Sequence, residues 1–157
     1  MMPLFPEEQV LDWTRHLCDI LEHLHSQNPP VIYRDMKPGN IILTRNEHIK
    51  LIDFSISRFF HPKHAQDTQL LGTPGFAPPE QYGTAQTDER SDIYSLAITL
   101  FMLLTNTLSE NGFGLKNVRS YNSAISSRVA RVLEKAASLS PEDRYDDVTA
   151  FRRALFG

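Results

Sequence analysis

Apolar residues recur at helical spacing near the start of the chain. Val10, Trp13, Leu17, Leu21 and Leu24 lie three, four or seven positions apart up to the Asn28-Pro29-Pro30 break, and so line one face of an amphipathic helix. Pro6 followed by Glu7 and Glu8 suits its start, because acids favour the positive end of a helix dipole. The period then changes. Residues 40–44 and 48–54 are short β-rich runs joined by Arg45-Asn46-Glu47, predicting a small hairpin that brings Asn40 near Asp53. From 55 to 82 no period persists, and Gly72, Pro74, Gly75, Pro78 and Pro79 punctuate the stretch. A loop that long inside a compact domain is usually functional or disordered. Helical patterns resume over 91–105, 127–139 and 147–156 with polar residues at their N-caps, and 108–126 has room for one short helix. The predicted class is mainly α with a small β-hairpin.

Composition narrows the choices. The 157 residues, 41% hydrophobic and 22% charged, predict one globular domain over 1–157 with one core. A net charge of −3 with scattered Lys and Arg argues against nucleic acid as a partner. Cys18 is the only cysteine, which excludes a disulfide framework and points to a reducing, cytoplasmic setting. Met1 to Glu8 has no basic segment followed by an apolar run, so no signal peptide is expected. The longest apolar stretch, from Ile93 to Leu104, is interrupted by Tyr94, Ser95 and Thr99 and is too short to cross a bilayer; it reads as a core helix, and no membrane segment is predicted. His16, Cys18, His23 and His25 repeat no ligand spacing, and positions 23 and 25 point to different helix faces. They read as surface or boundary residues, and His61 and His64 as solvated ones.

The chemistry is concentrated in four segments: Tyr33-Arg34-Asp35-Met36-Lys37-Pro38-Gly39-Asn40, Asp53-Phe54-Ser55, Gly72-Thr73-Pro74 and Ala77-Pro78-Pro79-Glu80. Phosphoryl transfer asks a protein to hold metal and phosphates and to orient an attacking hydroxyl, which calls for hard oxygen ligands and a lysine. In this order the segments resemble those of the protein kinase family. Lys37 and the Gly72-Thr73 pair resemble its serine/threonine branch, and the wording Gly-Thr-Pro-Gly-Phe-Ala-Pro-Pro-Glu-Gln-Tyr looks bacterial.

The resemblance implies a role for each matching residue. Asp35 would accept or orient the proton of the substrate hydroxyl, Lys37 would neutralise charge on the moving phosphate, and Asn40 with Asp53 would ligate Mg2+. Ile42 would lie on the floor of the ATP cleft. Thr73 would shape the acceptor site for a protein Ser or Thr. Arg34, joined by Arg58, would hold a phosphate on Thr68 and order the loop. Glu80 and Arg144 would form a buried ion pair, and Asp92 would bond the catalytic-loop backbone. Two positions depart from the family pattern. Tyr33 stands where most members have His and can replace its packing. Ser55 stands where Gly is usual, and its Cβ restricts positive φ and with it the freedom of the loop to switch states.

Other family parts lie upstream of the catalytic loop: a Gly-rich loop, a strand lysine and a helical glutamate. None is among the 32 residues before Tyr33. The expected architecture is therefore a kinase C-terminal lobe whose N-terminal lobe is a missing partner. Alone it should transfer little phosphate, bind magnesium-ATP poorly and expose apolar surface around Ile42 and Ile52. The alternative is a kinase-derived binding or regulatory module that transfers nothing.

Overall fold

The computed structural model describes residues 4–60, 72–83, 85–109 and 112–157. In chain order the elements are α1 (Glu7–His25), β1 (Val31–Ile32), β2 (Ile41–Leu43), β3 (Ile49–Leu51), β4 (Arg58–Phe59), α2 (Glu89–Thr105), α3 (Val118–Tyr121), α4 (Ser127–Ala136) and α5 (Val148–Phe156). Short 3-10 turns cover Pro38–Asn40, Pro79–Tyr82 and Pro141–Asp143.

The apolar stretch forms α2, which is buried on all sides, and α1, α4 and α5 pack around it. A helix apolar all round is stable only in such a position. Val10, Leu17 and Leu21 of α1 are fully buried, while Trp13 and Leu24 pack at the margin of the same core. Two helix ends move by more than one residue. α2 begins at Glu89 instead of 91, because Asp88 accepts from Arg90 N at 2.8 Å while Ser91 Oγ accepts from Asp88 N at 3.1 Å, closing a capping box. α4 stops at Ala136 instead of 139, since the Ala137 and Ser138 N–H groups turn back onto the Leu133 and Lys135 carbonyls at 3.0 and 3.1 Å. α3 is the one short helix foreseen in 108–126.

The predicted hairpin forms from β2 and β3, antiparallel, with Ile41 opposite Leu51 and Leu43 opposite Ile49. Ile41, Ile49 and Leu51 pack against the core, while Ile42 and Lys50, paired across the strands, face outward. A second ribbon was not predicted: β1 pairs with β4, Val31 opposite Phe59. Two-residue strands are too short to display a period of two. The ribbon returns the chain beyond the hairpin to the base of the Tyr33–Asn40 loop, where Ser57 Oγ donates to Tyr33 O at 2.9 Å. No described helix is long and apolar enough to cross a membrane.

Candidate active site

One face of α2 supports the site. Asp92, fully buried, accepts from the backbone N–H of Tyr33 at 2.9 Å and of Arg34 at 2.8 Å. His25 Nε2 lies 2.8 Å from the same carboxylate. These bonds hold Arg34 in a left-handed conformation with φ of 72°, which a non-glycine residue adopts only when its surroundings determine it. Farther along the helix Ser95 Oγ donates to Phe76 O at 2.8 Å and Thr99 Oγ1 to Met36 O at 3.3 Å. Ser91 Oγ reaches Glu80 Oε2 at 2.8 Å, and Gln81 Nε2 donates to Arg34 O at 2.8 Å. Buried peptide groups need partners, and these side chains supply them where the Tyr33–Asn40 loop and residues 76–81 cross the helix.

Sequence reasoning named Asp92 but missed Ser91, Ser95, Thr99, Gln81 and His25. A signal was present: Ser91, Ser95 and Thr99 share one face of an otherwise apolar helix. His25, read as a surface or boundary residue, has a side chain only 8% exposed.

Asp35 sits among three side chains. Its Oδ1 accepts from Thr73 Oγ1 at 2.9 Å and its Oδ2 from Asn40 Nδ2 at 3.0 Å. The Asn40 amide also donates to Asp35 O at 2.9 Å, because the 3-10 turn at Pro38–Asn40 swings it back over the loop. Lys37 Nζ donates to Thr73 Oγ1 at 2.9 Å and lies 3.9 Å from Asp35 Oδ1. Gly72 allows this closeness. It has φ of +148°, and a Cβ there would meet Gln81 Nε2 at 2.5 Å and Ala77 Cβ at 2.9 Å.

The hairpin delivers Asp53. Ile52 N donates to Asn40 O at 3.0 Å, so the following residue emerges beside Asn40, as the pattern predicted. Asp53 is exposed with φ of 60°. Ser55, through its hydroxyl and its backbone N–H, the latter 3.1 Å from Oδ1, holds the Asp53 carboxyl below the usual carboxylate range. The left-handed residue here is Asp53 and not Ser55, so the Ser55 Cβ is unstrained in this conformation. Asn40 and Asp53 together offer an amide oxygen and a carboxylate, a donor set that suits Mg2+, which keeps waters and phosphate oxygens at its other positions. Tyr33 replaces the usual His by donating its hydroxyl to Ile52 O and packing edge-on to Phe54 at 5.0 Å. Burial pushes its phenol well above the ordinary value, keeping the proton that this bond requires.

Glu80 and Arg144 are both buried and form a two-pronged pair at 2.6 and 3.0 Å. Arg144 directs its remaining donors to the carbonyls of Arg90, Ser138 and Leu139, so all five of its N–H groups are used. Its guanidinium also lies over the Tyr94 ring at 4.9 Å. The phosphate pocket is another matter. Arg34 Nη1 donates to Ile56 O at 3.3 Å and Arg58 Nη2 to Gln86 Oε1 at 2.8 Å, while Thr68, with His61 and His64, lies outside the described residues. Ile42, 44% exposed, forms with Leu43, Ile52 and Phe54 an apolar edge on the hairpin side of the site.

The protein kinase domain profile matches residues 2–151, and the chain belongs to that family; its fold is a mainly helical kinase-like lobe. Curated relatives include the serine/threonine-protein kinase Pkn1 of Myxococcus xanthus, 32% identical over 157 aligned residues, covering 88% of this chain and 22% of the relative. Serine/threonine-protein kinase nekl-2 of Caenorhabditis elegans is 37% identical over 105 residues, covering 66% and 29%. Mouse serine/threonine-protein kinase Nek3 is 36% identical over 100 residues, covering 64% and 19%. The chain thus spans less than a third of the length of these relatives.

Proposed function

We propose that this chain is the C-terminal catalytic lobe of a serine/threonine kinase, moving the γ-phosphate of ATP to Ser or Thr hydroxyls of proteins when an N-terminal lobe completes the cleft. The observation that carries this reading is the clustering of Thr73, Asn40 and Lys37 around the two oxygens of Asp35. Asp35 Oδ, fixed by donors on both sides, accepts the proton of the acceptor hydroxyl as its oxygen bonds to phosphorus and ADP departs. Lys37 places positive charge beside the transferred group, and Thr73 sets the approach of the acceptor. Asn40 and Asp53 would hold Mg2+, which when bound draws charge from the phosphate oxygens. Ile42 and the apolar edge around it would lie beneath the adenine. Cys18 supports a reducing, cytoplasmic setting: it is free and buried, and desolvation pushes its thiol up to about 12.

Asp35→Asn tests the assignment in a protein supplied with an N-terminal lobe. Transfer to a generic basic protein should fall by roughly 10²-fold or more. Turnover close to normal in a folded variant would refute the role of Asp35. The 157-residue chain alone should bind magnesium-ATP poorly in calorimetry, because half a cleft does not preorganise the reactants; micromolar binding with Asp35-dependent turnover would overturn that expectation.

A further inference from the structure

A second surface lies away from these groups, where α3 packs on α4. Residues 112–135 hold five cations, Lys116, Arg119, Arg128, Arg131 and Lys135, against the single acid Glu134, in a chain whose acids outnumber its bases 19 to 16. All five are exposed. Arg119 and Arg131 line a groove of about 420 Å³. Lys116 lines an adjoining cavity of about 790 Å³ that shares Glu134 with the groove. Glu134, whose Oε1 accepts from Val118 N at 3.0 Å, offsets only one of the five positive charges. Arg119 is held in place by bonds to Ile125 O and Ser123 O, whereas Lys116 and Arg131 have no hydrogen bond or ion pair to any described residue.

The larger cavity adds an apolar element. Phe113 and Leu139 on its wall remain 44% and 59% exposed. Phe113 meets Tyr82 edge-on at 5.7 Å, and Tyr82 belongs to the same 3-10 turn as Glu80. We infer that these adjoining cavities form a docking site for an acidic segment of a partner protein carrying one bulky apolar side chain. The apolar side chain enters between Phe113 and Leu139, and its acidic neighbours meet Lys116, Arg119 and Arg131. Charge complementarity identifies the partner's sign, and the exposed apolar wall identifies its anchor. A long polyanion fits less well, because the remainder of the chain carries eighteen acids against eleven cations and would repel a ligand that extends beyond this region.

The test uses the whole chain and a dye-labelled peptide with one leucine among aspartates and glutamates, followed by fluorescence anisotropy. Binding should weaken on adding salt, and by about tenfold or more with Arg131→Glu, Lys116→Glu or Leu139→Ser, in variants whose urea unfolding matches wild type. Replacing the peptide acids by their amides, or its leucine by serine, should have the same effect. Absence of binding, affinity indifferent to Arg131→Glu, or tighter binding of a single-stranded DNA oligonucleotide or of phosphatidylserine vesicles would each overturn the inference.

Discussion

Asp35 has a side chain only 11% exposed and is gripped by Thr73 and Asn40, whereas Asp53 is exposed and held within its own turn by Ser55. The first belongs to a loop tied at several points to the buried helix α2. The second belongs to the end of a short hairpin whose outer edge is apolar and open. Rigidity therefore differs across one site. On the proposed reading, the side of the acceptor hydroxyl would be organised by this chain itself, and the side of metal and nucleotide would be the one with the open apolar edge of Ile42, Ile52 and Phe54. That division is what the proposed reaction would require, with one lobe positioning the acceptor and two enclosing the donor.

The comparison can be broken most severely at the buried Glu80–Arg144 pair. Glu80→Ala or Arg144→Ala strands a buried charge, and each should cost roughly 3–5 kcal/mol in urea unfolding. Single variants that unfold like wild type would show that the Asp35 side does not depend on this pair. Asp92→Ala should come next, at about 3 kcal/mol, because it leaves two buried N–H groups without their acceptor. Hydrogen exchange should then quicken at Tyr33 and Arg34 while the amides of the β2–β3 hairpin change little. Equal loss of protection in both regions would erase the distinction.

The smallest effect is expected at Asp53. Its carboxyl titrates below the usual aspartate range, first because of the Ser55 hydroxyl and then because of the Ser55 backbone N–H. With a depressed value in the folded state, its charge favours the fold above the pH where an unfolded aspartate titrates, and this contribution disappears as pH falls through the lower folded value. Ser55→Gly removes the hydroxyl donor and keeps the N–H. The Asp53 midpoint, followed by carbon-13 NMR, should move part of the way up toward the ordinary value, and no movement would mean that the hydroxyl does not act on it.

Much of this site was legible before folding because its chemistry is compressed into short segments. Asp35, Lys37 and Asn40 lie on one loop, and a hairpin pattern was enough to bring Asp53 beside Asn40. The Glu80 and Arg144 pairing was legible only through family likeness, since no spacing rule joins residues so far apart. The β1–β4 ribbon escaped notice because two-residue strands carry no period. The roles of Ser91, Ser95 and Thr99 were hidden because a hydroxyl in an apolar run reads as an interruption until its carbonyl partner is known.

The sequence by itself determined the helices, the β2–β3 hairpin and the list of reactive groups: helical periodicity specifies α1, a long apolar run specifies α2, and turn chemistry specifies the loop that carries Asp35. Only the tertiary structure decided which carboxylate is gripped and which stands open, and that Arg119 of α3 and Arg131 of α4 line one groove. The reason lies in range. Periodicity and turn preference act between near neighbours in the chain, whereas burial and hydrogen-bond partnership depend on what distant segments bring to the same place.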